Sequence, residues 1–212
     1  VGAPSWFELG TTDPSAAARF YTALLGWDAV QTPLPDGSVY TIFVQDHCEV
    51  GACFGLMPEQ LAQGARAHWG VYFRVVDVDP SVAEARATGA SVVVEPFDVM
   101  RHLRMAVLFD PAGAVFSLAQ PLEHPGVGLF GGRHSVTWVE LATPDVAAIE
   151  PFYARLLGWA CSDHPGAPTV YRKYAVDGVD YGGLLQMTPG WGDIPPHRAI
   201  YLRGGDVDPL LA

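Results

Sequence analysis

The chain has 212 residues, half of them apolar, and its twelve Lys/Arg against twenty-three Asp/Glu give a net charge of -11. No basic cluster interrupts that balance, so a phosphate backbone is repelled and nucleic-acid binding is excluded. No apolar run approaches membrane-spanning length and no signal-peptide pattern opens the chain, while Cys48, Cys53 and Cys161, odd in number and without CxxC spacing, read as reduced thiols of a cytoplasmic protein.

The first predicted strand covers Trp6 to Gly10, where apolar and polar residues alternate. Asp13 is placed to cap a helix with Pro14 at its first position; Ala17, Tyr21, Leu25 and Phe20, Leu24 then recur at helical spacing, and Gly26 ends it. Strands follow over 39–44 and 50–56, with Cys48 and Cys53 as small packing residues. A second unit opens with a strand from His68 to Val76, a helix capped by Asp79 with Pro80 behind it, a stop at Gly89, and strands over 91–94, 104–109 and 114–119. Residues 121–133, rich in Gly and Pro, read as a linker. A third unit has a strand over 136–142, a cap at Asp145, a helix that Pro151 should kink, a stop at Gly158, and strands over 171–176 and 181–187. A fourth begins with a strand over 199–203 and a helix opened by Asp208-Pro209, and the chain stops at Ala212. Trp27, Trp159, Phe20 and Phe152 are expected in the core. His47, His102, His124, His134 and His164 sit in turn-like contexts and are expected to face solvent.

These units are copies. Trp6-Phe7-Glu8-Leu9, Asp13, Phe20-Tyr21 and Leu24-Leu25-Gly26-Trp27 return 132 residues later as Trp138-Val139-Glu140-Leu141, Asp145, Phe152-Tyr153 and Leu156-Leu157-Gly158-Trp159. His68, Tyr72, Arg74 and Asp77-Val78-Asp79-Pro80 return 129 residues later as His197, Tyr201, Arg203 and Asp206-Val207-Asp208-Pro209. The repeat is a strand, a helix and about three strands, roughly sixty residues in all. It predicts an α+β fold of tandem βαβββ modules. A first domain spans 1–120 (modules about 1–60 and 66–120), the linker spans 121–133, and a second domain spans 134–212 with its last module truncated. Repeat arithmetic calls for about forty-five further residues. A sheet short of three strands would expose its edges, so the second domain is not expected to be stable as written.

A doubled module with FYxxLLGW after its first strand resembles the vicinal oxygen chelate superfamily, which includes glyoxalase I, bleomycin-resistance proteins and extradiol dioxygenases. Asp110-Pro111-Ala112-Gly113 before a last strand strengthens the likeness, because DPxG is a habit of these modules. Among members the chain looks most like tandem four-module actinobacterial proteins. The resemblance implies modules paired into open, incomplete β-barrels around a cavity, with helices outside. It also implies ligand positions for a metal, two on first strands and two on last strands, filled in metal-using members by His or Gln and by Glu. Here those positions hold Trp6, Gly70 (Val71 if the alignment slips by one), Ser117 and a residue near Cys53, with Trp138 and Ala199 in the second domain. Trp and Gly offer no side-chain donor and Ser is a poor ligand for zinc or iron. The expectation is no metal and no other cofactor. The alternative is a displaced site of Glu8, His68 and Cys53 holding divalent Fe, Zn or Ni.

Strand alternation sorts the rest into two faces. Trp6, Glu8 and Gly10 share the inner face of the first strand, with Phe7 and Leu9 packed under the helix. His68, Gly70, Tyr72 and Arg74 share the inner face of the second module's first strand, and Val115, Ser117 and Ala119 that of its last. Trp138, Glu140, His197, Tyr201 and Arg203 repeat the set. Aromatic walls with a few polar groups suit a small-molecule pocket. Trp6, His68, Tyr72, Arg74, Ser117, Trp138, Tyr201 and Arg203 are the candidate substrate-binding residues. Glu8 and Glu140 are the candidate general bases, able to take a proton next to a carbonyl while Arg74 or Tyr72 stabilises the oxyanion. The plainer alternatives stay open: Trp6 plugging a collapsed barrel, Glu8 and Arg74 as a structural bridge, His68 bonded to backbone at a strand end. The leading reading is a metal-independent protein of the glyoxalase/bleomycin-resistance type that binds an aromatic or carbonyl-containing metabolite. The others are a metal-dependent dioxygenase or glyoxalase, and a resistance protein that only sequesters a planar drug. A monomer or a homodimer is expected.

Overall fold

The computed structural model describes residues 1–34, 37–62, 64–167 and 169–205. The first module runs β1 (Pro4–Thr11), α1 (Pro14–Leu25), β2 (Asp28–Pro33), β3 (Val39–Gln45) and β4 (Cys48–Gly55), then a short α2 (Pro58–Ala62). The second runs β5 (His68–Arg74), α3 (Val78–Ala87), β6 (Ser91–Val99), β7 (Leu103–Phe109) and β8 (Val115–Pro121). The third runs β9 (Val136–Thr143), α4 (Val146–Leu157), β10 (Ala160–Asp163), β11 (Tyr171–Val176) and β12 (Val179–Gln186); a 3-10 turn and β13 (His197–Leu202) follow. The strand-helix-three-strand unit is therefore complete three times, in a mixed α+β fold whose sheets do not close into a barrel. Sequence pattern alone missed β2 and β10. Both are edge strands, and every residue of β2 is exposed, so neither carries an alternation to read.

Helix ends follow the local chemistry. The Asp13 carboxylate accepts from the Ala16 N–H at 2.8 Å and that of Asp145 from the Ala148 N–H at 3.0 Å. Gly26 and Gly158 close their helices at φ 70° and 68°, in the left-handed region that favours glycine. The α3 helix corrects the expected register. Its cap is Asp77, which accepts from the Asp79 N–H at 3.1 Å; Asp79 instead pairs with Arg104 at 2.6 Å, which holds its carboxyl below the usual range. The helix closes at Thr88, one residue before Gly89. The α4 helix continues through Pro151 without a break. The helix start at Asp208-Pro209 lies outside the described residues.

The chain divides into two compact units that do not follow chain order. Unit one comprises Val1–Ser5, Val71–Pro125 and Trp138–Ile200; unit two comprises Trp6–Gly70, Gly126–Thr137 and the chain from Tyr201 on. Unit one contains the strand orders β5-β8-β7-β6 and β10-β11-β12-β9-β13, and its α3 packs against α4. The DPxG phrase builds a turn around a buried carboxylate. Asp110 accepts from the Ala112 and Ala114 N–H groups at 3.0 and 2.9 Å and from the Tyr153 hydroxyl at 2.7 Å. Arg198 completes this cluster: its guanidinium stands 3.7 Å from Asp110, donates to the Tyr153 hydroxyl and to the Val115 carbonyl, and lies over the Phe73 and Phe116 rings.

Unit two contains the strand order β2-β3-β4-β1. Its core is Leu9, Leu25, Trp27, Phe43, Val50 and Cys53, closed by Tyr21, which accepts from the Trp69 indole N–H at 2.9 Å. Part of the expected linker belongs to this core. Phe130 stacks on Phe7 with ring centroids 6.2 Å apart, Leu129 packs on the cluster, and the Gly128 N–H donates to the Glu49 carbonyl at 2.8 Å. Phe20 is a correction: it is 57% exposed, whereas its repeat partner Phe152 is 5% exposed. The α4 helix is covered by α3 and by the Phe116 ring as well as by its own sheet, so its second flank is buried.

Candidate functional site

In unit two the strand register sets one side-chain row across the sheet: Glu8, Ala52, Ile42 and Val30. Leu9, Cys53, Thr41 and Gln31 form the row on the opposite face. Trp6 and Glu8 share a face, as alternation predicts, and one phenol ties them together. The Trp6 indole N–H donates to the Tyr40 hydroxyl at 3.3 Å, and that hydroxyl donates to the Glu8 carboxylate at 2.6 Å. Burial, then the neighbouring Glu8 charge, push the Tyr40 phenol well above its ordinary value, so it remains a proton donor. His68 bonds the Arg66 carbonyl through Nδ1 at 2.7 Å, and its repeat partner His197 bonds the Pro195 carbonyl at 2.8 Å. Both adopt the plainer strand-end arrangement.

Unit one repeats the pair. The Trp138 indole N–H donates to the Tyr171 hydroxyl at 2.6 Å. The row here is Glu140, Gly183, Lys173 and Ser162. Its glycine makes room for the phenol, since a Cβ at Gly183 would stand 2.2 Å from the Tyr171 hydroxyl as placed. The phenol thus crosses the sheet over Gly183. Beside it lies an open recess of about 520 Å³ lined by Trp138, Tyr171, Lys173, His164 and the turn at 165–167. His164 meets the Tyr171 ring edge-on at 5.7 Å, and the Lys173 ammonium pairs with Asp180.

Two further rows cross β5, β8, β7 and β6 in unit one. The first is Tyr72, Ser117, Val107 and Val94; the second is Arg74, Ala119, Met105 and Phe97. Tyr72, Arg74 and Ser117 therefore share one face, as alternation predicts, in the company of exposed apolar groups: Val94 is 40% and Phe97 42% exposed. The arginines are turned to backbone. Arg74 donates to the Pro125 carbonyl, and Arg203 donates to the Gly131 carbonyl at 3.0 Å. Tyr201 is 47% exposed. The residues that sequence reasoning missed are Tyr40, Tyr171, Lys173 and His164. A signal for the tyrosines existed: after the helix the repeat offset slips from 132 to 131, and Tyr40 then falls on Tyr171.

The side chains at the superfamily's ligand positions do not fit a divalent ion. The Trp6 and Trp138 nitrogens donate to phenols, Ser117 is buried in an apolar row, and Cys53 lies in the core with its thiol pushed up by burial. The displaced set of Glu8, His68 and Cys53 is corrected, since Glu8 and Cys53 sit on opposite faces of the sheet. Among the described residues no three His, Cys, Asp or Glu side chains gather where an ion could be held.

A glyoxalase-like domain model matches residues 6–119. The anthracycline biosynthesis protein DnrV of Streptomyces peucetius is 37% identical over 219 aligned residues, which cover 98% of this chain and 78% of DnrV. The Mn(II)-bound glyoxalase from Novosphingobium aromaticivorans superposes with a TM-score of 0.66 at 17% identity, over 92% of this chain and 63% of that one. A single-residue variant of homoprotocatechuate 2,3-dioxygenase from B. fuscum does so at 0.61 and 18%, over 87% and 53%. These two likenesses are of fold, and the chain spans less than two thirds of either structure. Among the described residues no helix is long and apolar enough to cross a membrane. The family match over residues 6–119 and the near full-length relationship to DnrV lead to one conclusion: the chain belongs to the glyoxalase-like domain family of the vicinal oxygen chelate superfamily.

Proposed function

We propose that the chain binds a small aromatic or carbonyl-containing metabolite against its indole–phenol pairs without the superfamily metal, and that Glu8 and Glu140 serve it as general bases. The observation that carries this is the Trp–Tyr hydrogen bond made at the same strand positions in both units, which in unit one lines an open recess. A flat ring stacks on an indole whose N–H is already satisfied without stripping a polar group of its partner. DnrV's place in anthracycline biosynthesis supports an aromatic metabolite, since anthracyclines are fused-ring compounds.

The base role rests on Glu8 and Glu140 lying two residues beyond the indoles on the same strand face. A carboxylate there takes a proton from the carbon next to a carbonyl, and the freed electron pair moves onto the carbonyl oxygen. Tyr40, which donates to Glu8, fixes the orientation of that carboxylate. The test is tryptophan-fluorescence titration with planar carbonyl compounds, followed by assay of proton exchange into whichever binds. Glu8→Gln and Glu140→Gln together are expected to keep binding and lower exchange by about a hundredfold. Unchanged exchange would remove the base role, and stoichiometric quenching without any exchange in the wild type would leave a sequestering protein.

A further inference from the structure

Resting on the pocket reading above, we infer that the two copies of the site have diverged in ligand charge, and that the recess of unit one selects a flat aromatic acid through Lys173. The repeat aligns the two copies position by position: with the offset of 131, Tyr40 corresponds to Tyr171, Ala52 to Gly183 and Ile42 to Lys173. The row in unit two is Glu8, Ala52, Ile42, Val30, a carboxylate followed by apolar groups. The row in unit one is Glu140, Gly183, Lys173, Ser162. A cation and a hydroxyl stand where the other copy has isoleucine and valine.

Lys173 is the one fixed cation among the residues that line this recess, and its side chain is 31% exposed. In a chain of net charge -11 an anion is repelled at long range, so a local ammonium decides whether an acid is accepted. Asp180 holds that ammonium at the wall and competes with a ligand for it. Two strand spacings separate Glu140 from Lys173, about 10 Å. A ligand anchored by its acid group at Lys173 therefore keeps that charge away from the Glu140 carboxylate. Its far end reaches Glu140 if its body is two or three fused rings long. Gly183 between them leaves the sheet floor open, and the Tyr171 ring covers that gap as a stacking surface. The substrate class assigned to this recess is thus a fused-ring aromatic carboxylate or phenolate whose reacting carbon lies opposite its acid group.

The test is equilibrium dialysis of the full chain against anthracene-2-carboxylate and its neutral isostere anthracene-2-carboxamide. One equivalent of the carboxylate is expected to bind about tenfold more tightly than the carboxamide, a difference of about 1.4 kcal/mol. Lys173→Met is expected to erase that preference while leaving the carboxamide affinity within about twofold. Asp180→Asn frees the ammonium and is expected to tighten the carboxylate several-fold. A preference that survives Lys173→Met, or carboxylate binding that weakens in Asp180→Asn, overturns the charge assignment and leaves the pocket standing. Failure of the wild type to bind either probe, or binding of both unchanged by Trp138→Leu, overturns the pocket reading and this inference with it.

Discussion

Tyr40 places one hydroxyl between an indole N–H and a carboxylate, accepting from Trp6 and donating to Glu8. Tyr171 accepts from Trp138 at the matching position. Hydrogen bonds to charged groups contribute more than neutral ones, about 1.5–3 against about 1 kcal/mol. Tyr40→Phe is therefore expected to cost roughly 2–3 kcal/mol in urea unfolding. A loss of about 1 kcal/mol or less would show that the bond to Glu8 does not hold that strand face together. At this scale the faces of β1 and β5 could be read from the sequence, because alternation alone puts Trp6 with Glu8 and Tyr72 with Arg74. Tyr40 was legible only through the repeat at its shifted offset of 131, since no local pattern announces a bond to Glu8 that spans 32 residues.

The elements were legible where they carry a one-sided pattern. Asp13 and Asp145 announced their helices, and the glycines that end α1 and α4 were visible as stops. The edge strands β2 and β10 and the pairing of α3 with α4 were not, since an edge has no buried face and helix partnership is a tertiary fact. Arg198 shows the same limit. It looks like an ordinary strand residue, yet its side chain is 2% exposed and stands over the turn that Asp110 builds. Removing one member of a buried charged pair costs about 3–5 kcal/mol, whereas removing both can be nearly neutral. Arg198→Met is thus expected to destabilise the protein by roughly 3–5 kcal/mol, and Asp110→Asn in the same chain to recover much of it. Denaturation of the two single variants and the double variant checks this. Simple additivity of the losses would mean that the two side chains act independently.

Across the whole molecule the charge balance and the buried phenols act in the same direction as pH rises. Tyr153 and Tyr174 are fully buried and Tyr40 is largely so, and burial is the first cause that raises all three phenols. An unfolded phenol ionises near pH 10. Above that value the unfolded chain has lost protons that the folded chain keeps, so stability is fully present below pH 10 and falls as pH rises beyond it. Each such phenol contributes a slope of about 1.4 kcal/mol per pH unit. The net charge of -11, growing more negative over the same range, adds self-repulsion. Tyr174 isolates the phenol contribution. Its ring stacks on Trp159 with centroids 3.7 Å apart, and its buried hydroxyl has no hydrogen-bond partner among the described residues. Tyr174→Phe should therefore keep the stacking, leave stability at pH 7 unchanged or slightly higher, and shallow the alkaline decline by about 1.4 kcal/mol per pH unit above pH 10. Thermal unfolding between pH 7 and about 11.5 measures both. A variant that loses stability at pH 7, or declines as steeply as the wild type, would show that the Tyr174 hydroxyl reaches solvent or a partner in the folded protein.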